Sequence, residues 1–117
     1  MTLPAALASA LDEAIRLRRA GDAVGALALA EAHAVPSEAG AAFLTIAGLA
    51  ALELGDPARA LRHLEPLAAL RPDDLDVRAD LAKALLGVGR EAEALTLFEQ
   101  LTGRDARLWP QLMSMMP

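Results

Sequence analysis

The side chains that could do chemistry are few, and their spacing keeps most of them apart. His33 and His63 are the only histidines, with Glu31 two residues before the first and Glu65 two residues after the second. On a helix a separation of two points side chains in opposite directions, so neither pair makes a shared proton-transfer or ligand face. Each histidine reads as an ordinary boundary residue. Ser9, Ser37 and Ser114 sit in no nucleophile elbow, and Thr45 stands in an apolar stretch with no histidine at local spacing. Gly87-Val88-Gly89 lacks both the preceding strand and the following lysine of a phosphate loop. Asp73, Asp74 and Asp76 are placed to cap a helix. The chain has no cysteine, hence no thiol nucleophile, disulfide framework or cysteine zinc site, and a reducing cytoplasm fits it. The expectation is a protein that is not an enzyme on its own and needs no metal or cofactor.

Composition narrows the fold. Ala and Leu occupy 51 of 117 positions, whereas Val, Ile and Thr together supply ten and Tyr is absent. Ala and Leu lose least on entering a helix, and strands want the β-branched and aromatic residues missing here, so the fold is all-α. The formal charge is -5 and the longest basic run is Arg18-Arg19, which argues against a nucleic-acid partner. The longest uncharged stretch, residues 39–52, would span about 21 Å as a helix against about 30 Å of bilayer hydrocarbon. It reads as a buried core helix, with no membrane as partner. Ala8-Ser9-Ala10 has the small-x-small look of a secretory cleavage site, but no positive region precedes it and Pro4 breaks the apolar stretch.

A period organises the helices. Gly21, Gly55 and Gly89 are 34 residues apart, Ala26, Ala60 and Ala94 each lie five after them, and Ala14, Gly48 and Ala82 each lie seven before. A small side chain at a fixed place on two successive helices lets their backbones approach closely, as a tight helical hairpin requires. The glycines then end each first helix in a left-handed cap. Asp22 and Asp56 can cap the second helices, with Pro57 at a first helical position. Ser37 and Asp74 are placed to cap the helices after them, and Pro66 predicts a bend.

This pattern resembles the tetratricopeptide repeat, a 34-residue unit of helix A, turn and helix B, over residues 7–108. Leu44, Ala47, Gly48, Ala51, Ala60, Leu64, Leu67 and Pro72 fall on its signature in the second unit, 41–74. Leu81, Ala82, Leu85, Ala94, Phe98 and Leu101 do so in the third, 75–108, and Ala10, Ala14, Leu17, Ala26 and Ala30 in the first, 7–40. The sequence departs from the pattern at Glu13, His33 and Arg78, where the family prefers leucine, a small residue and tryptophan. The resemblance implies one domain, a right-handed α-solenoid of about three helix hairpins. A short C-terminal helix within 105–117 follows, with Leu112, Met115 and Met116 on one face. That segment either covers the last unit, offers a methionine-rich contact surface or begins a fourth repeat.

The resemblance also implies a function, protein binding on the concave side. Carried over by position, the groove comprises Ala8, Leu11, Ile15, Arg18 and Arg19, then Ala42, Thr45, Leu49, Leu52 and Glu53, then Asp76, Ala79, Lys83 and Leu86. Members that clamp the acidic tail of a chaperone use lysines, asparagines and an arginine in this groove. Leu11, Ile15, Leu49 and Ala79 hold the corresponding places here, with Lys83 alone positive. The groove therefore suits an apolar helix or extended segment of another protein, as in an adaptor or small chaperone. Three other fates stay open for its leucines: cover by the chain's own Leu108-Trp109-Pro110 segment, a homodimer, or packing between A helices. A substrate-positioning module of a larger enzyme, such as a transferase, and a structural homodimerisation unit are the alternative functions.

Overall fold

The computed structural model describes residues 4–102. Among these residues the chain forms six α-helices and no strand: α1 Ala5–Arg19, α2 Ala23–Glu31, α3 Ala41–Glu53, α4 Pro57–Leu70, α5 Leu75–Gly87 and α6 Glu91–Thr102. The all-α solenoid-like arrangement expected from the sequence is the one observed, and the short last helix expected within 105–117 lies outside the described residues.

The three glycines do what their spacing predicts. Gly21, Gly55 and Gly89 have φ of 88°, 73° and 86°, a region in which a Cβ would be strained. Around Gly21 the Asp22 N–H bonds the Leu17 carbonyl at 2.9 Å and the Gly21 N–H bonds that of Arg18 at 3.1 Å, the double bond of a Schellman cap. The same pair recurs at Asp56 to Ala51 with Gly55 to Leu52, and at Arg90 to Leu85 with Gly89 to Leu86. The next helix starts at once: Asp22 and Asp56, which close one helix, accept from the backbone N–H of Gly25 and Arg59 and so open the next. Asp74 caps α5 by accepting from Asp76 and Val77.

Packing follows the alanines. Ala14, Ala26, Ala47, Ala60, Ala82 and Ala94 are all at 0% exposure, and the largest sealed side chains are Phe43, Leu64, Leu67 and Leu101. α3 is apolar on every side because α2 and α4 flank it while α1 and α5 touch it. Gly48 faces Leu64 so closely that a Cβ there would meet Leu64 Cδ2 at 2.6 Å.

Local expectations are corrected at Ser37. It does not cap α3, which begins at Ala41 with Gly40 before it and no side-chain cap; the Ser37 backbone donates its N–H to the Val35 carbonyl and accepts from the Gly40 N–H. α4 runs through Pro66 to Leu70 as one helix. Two of the departures from the repeat pattern are tied down by polar partners, Glu13 by Arg16 one turn along and Arg78 by the Gln100 side chain on α6.

The Gly48 contact gives the first prediction. Leu64 is 1% exposed and has no free side to move into, so Gly48→Ala overpacks the crossing at a cost of about 1–3 kcal/mol, against a helix-propensity gain of about 1 kcal/mol. Urea unfolding should show a net loss of about 1 kcal/mol. A stabilised variant would mean that this crossing is looser than described.

Candidate functional site

Curvature comes from unequal packing on the two sides of the stack. α1 touches α3 and α3 touches α5, whereas α2, α4 and α6 barely approach one another. A stack that is tighter along its odd helices bends toward them, making α1, α3 and α5 the concave layer.

The candidate groove residues lie in stripes on that layer, since Leu11, Ile15 and Arg18 on α1, and Thr45, Leu49 and Leu52 on α3, recur at helical spacing. Leu11, Ile15, Leu52 and Leu86 are half-buried and rest against the core. Leu49 is half-buried without joining that cluster. Ala8 and Ala42 are half-buried as well. Thr45 turns its hydroxyl back to donate to the Ala41 carbonyl at 3.1 Å. Ala79 is 4% exposed, so its methyl belongs to the interior. Arg19 and Asp76 are exposed.

Charge is confined to the margins of this apolar strip. Arg18 Nε lies 2.7 Å from Glu53 Oε1, joining the end of α1 to the end of α3. That nitrogen is sealed from water and has no aligned hydrogen bond, so the contact is an ion pair held by position. Lys83 Nζ sits 3.8 Å from Asp80 Oδ1. Burial pushes the Asp80 carboxyl above its usual range, and Lys83 partly opposes the shift. Asp80 was not among the residues expected in the groove, although the period carries the signal: it stands 34 residues after Ile46, which is 7% exposed.

On the opposite, convex side a polar cluster appears that local spacing could not reveal. Glu31 of α2 accepts from Arg59 Nε at 2.9 Å and from Arg59 Nη2, and its Oε2 lies 2.7 Å from His63 Nε2. His63 is thus paired with a glutamate 32 residues before it, one unit back, rather than with its neighbour Glu65. His33 instead places its ring 5.0 Å from that of Phe43. The clue to the pairing was periodic, since Glu31, Glu65 and Glu99 recur at intervals of 34. Because α2 and α4 barely touch, Glu31 is the principal described tie between their exposed sides. Further ties are Glu38 to Arg71 and Glu65 to Arg90. Among the described residues no group of three His, Asp or Glu side chains could hold a metal ion, and no helix is long and apolar enough to cross a membrane.

The Arg59 hydrogen bonds, opposed by partial burial and aided by His63, hold the Glu31 carboxyl down to about 2 from 4.5. A depressed carboxylate pKa stabilises the fold above the unfolded value of 4.5, and the stabilisation is lost as pH falls through about 2. Glu31→Gln should therefore cost about 1 kcal/mol at neutral pH, a figure reduced for the solvent that reaches Arg59. Urea melts of the two proteins should converge between pH 4.5 and 2. A difference that persists undiminished at acid pH would assign the loss to packing instead of charge.

A comparison with known families agrees with the geometry. A family model described as tetratricopeptide repeat matches residues 51–114, more than half of the chain. No curated protein matches the chain, and no solved structure does.

Proposed function

Because the chain belongs to the tetratricopeptide repeat family, whose members generally mediate protein–protein interaction, we propose that its concave layer holds an apolar helix or extended segment of another protein. The observation that carries this reading is Leu49, an apolar side chain on the middle helix of the layer that is half-buried yet not engaged by the core. Leu11, Ile15 and Leu52 flank it and each still offers part of its surface. Covering a leucine-sized side chain contributes about 1.5–3 kcal/mol when burial is complete, before the ordering of the bound segment is subtracted. A strip of this kind can support moderate affinity through apolar contact, with Arg18 paired to Glu53 at its margin and Lys83 near Asp80 setting its polar edge.

In this reading the chain is an adaptor or small chaperone working in the cytoplasm, with no catalytic step and no cofactor of its own. Glu31, Arg59 and His63 satisfy one another across a helix pair, as a structural tie between units would.

Leu49→Asp should abolish recovery of the partner when the protein is used as bait in extract of its native cells, while leaving the helical circular dichroism intact. Loss of helicity would return Leu49 to the core, and retention of the partner by the folded variant would remove the concave reading. Light scattering of the unaltered protein separates a bound partner from a second copy: a dimer that Leu49→Asp dissociates would mean that the groove is closed by self-association.

A further inference from the structure

The concave layer holds almost nothing with which to hydrogen-bond a bound backbone. The chain has no asparagine, and its two glutamines, Gln100 and Gln111, both lie outside α1, α3 and α5. Thr45, the one hydroxyl in the candidate strip, spends its proton on the Ala41 carbonyl at 3.1 Å. The rest of the middle is Leu11, Ile15, Leu49 and Leu52, each half-buried. An extended segment laid there would press its backbone N–H and C=O groups against apolar side chains, and a polar group left unpaired costs more than a made hydrogen bond gains. A helix satisfies those groups within itself and presents only side chains.

Charge then orients what lies on the strip. At the margins Arg18 is matched by Glu53 and Lys83 by Asp80. Two charges are left over. Arg19, the last residue of α1, and Asp76, in the first turn of α5, are exposed, and among the described residues neither side chain forms an ion pair or hydrogen bond. Burial raises the Asp80 pKa most; of its charged neighbours Lys83 and Arg18 lower it while Asp76 and Asp74 raise it, so the α1 and α5 sides face one space.

The leftover pair sits at opposite corners. Two repeats before Asp76 stands Ala8, and Arg19 lies eleven residues beyond Ala8. Eleven residues rise about 16 Å along the helix axes, and the two steps from α1 over α3 to α5 cover about 18 Å. Arg19 and Asp76 are thus about 24 Å apart on a diagonal that crosses α3 close to Leu49.

Resting on the concave reading above, we infer that the occupant is an α-helix of a partner protein, about four turns long, lying on this diagonal. Its inner face is apolar, its end over Arg19 carries a carboxylate, and its end over Asp76 carries a lysine or arginine. Apolar contact supplies most of the affinity, and the two end charges fix which way the helix lies.

The probe is the helical peptide acetyl-Glu-Ala-Gln-Leu-Ala-Gln-Leu-Leu-Ala-Gln-Leu-Ala-Gln-Ala-Lys-amide, whose charged ends are about 21 Å apart. Titrated into the ¹⁵N-labelled full chain, it should give saturable shifts at the amide signals of Arg19, Leu49 and Asp76, with that of Leu97 on the convex side unmoved. Proline in place of the alanine after the paired leucines breaks the helix and should weaken binding at least tenfold. Arg19→Glu should weaken binding about fivefold and Asp76→Asn by less, both with helical circular dichroism retained. A peptide with lysine at both ends should bind Arg19→Glu more tightly than the unaltered chain. Undiminished binding of the proline peptide with Leu49 still shifted would overturn the helix while leaving the concave reading in place. Shifts confined to the convex side would overturn both. Indifference to the charges of Arg19 and Asp76, or no saturable shift, would overturn the inference alone.

Discussion

Each helix pair reverses through a single glycine with φ between 73° and 88°, and this turn is so short that one residue serves two helices. Asp22 donates its N–H to the end of α1 and lends its carboxylate to the start of α2, and Asp56 does the same between α3 and α4. Helices joined so tightly must cross within a few residues of the turn. The alanines at 14, 26, 60, 82 and 94, all fully buried, are small where that crossing leaves no space. The same demand is sharpest at Gly48, against Leu64.

From that local constraint the larger asymmetry follows. Pairs of fixed geometry stack along their odd helices, so α1, α3 and α5 pack as a layer while α2, α4 and α6 splay. On that layer the partly buried apolar residues Leu11, Ile15, Leu49 and Leu52 belong to α1 and α3, and α5 adds Asp76, Asp80 and Lys83. The convex side consists of furrows bridged by charged side chains, such as Glu31 with Arg59 and His63, and Glu65 with Arg90. Ion pairs this exposed add little stability individually, and their larger effect is to fix how one unit sits on the next. The cavity beside the Glu31 bridge is lined mainly by polar side chains, and the one beside Glu65 and Arg90 also by Leu81, Leu85 and Leu97.

Much of the fold could be read from the sequence because its determinants are local and periodic. Left-handed caps at Gly21, Gly55 and Gly89, the Asp22, Asp56 and Asp74 caps and the buried alanines are each dictated within a few residues. Ser37 misled because it sits in the longer connection between α2 and α3, where the chain had room to start the helix at Ala41 instead. The candidate groove was legible as a set of positions on the odd helices. Which members face outward was not, and Ala79 proved internal while Asp80, unforeseen, is largely buried beside Lys83.

By itself, then, the sequence determined that this chain is helical, that it repeats every 34 residues and where each pair turns, since helix propensity, capping and glycine conformation act over one or two turns of chain. Only the tertiary structure decided which charges meet and which apolar surface remains uncovered. Glu31 finds His63 at a separation of 32 residues, and Leu49 escapes the core that holds its neighbours. Those outcomes depend on how one unit rests on the next, a relation carried by contacts between units and by no local stretch of residues.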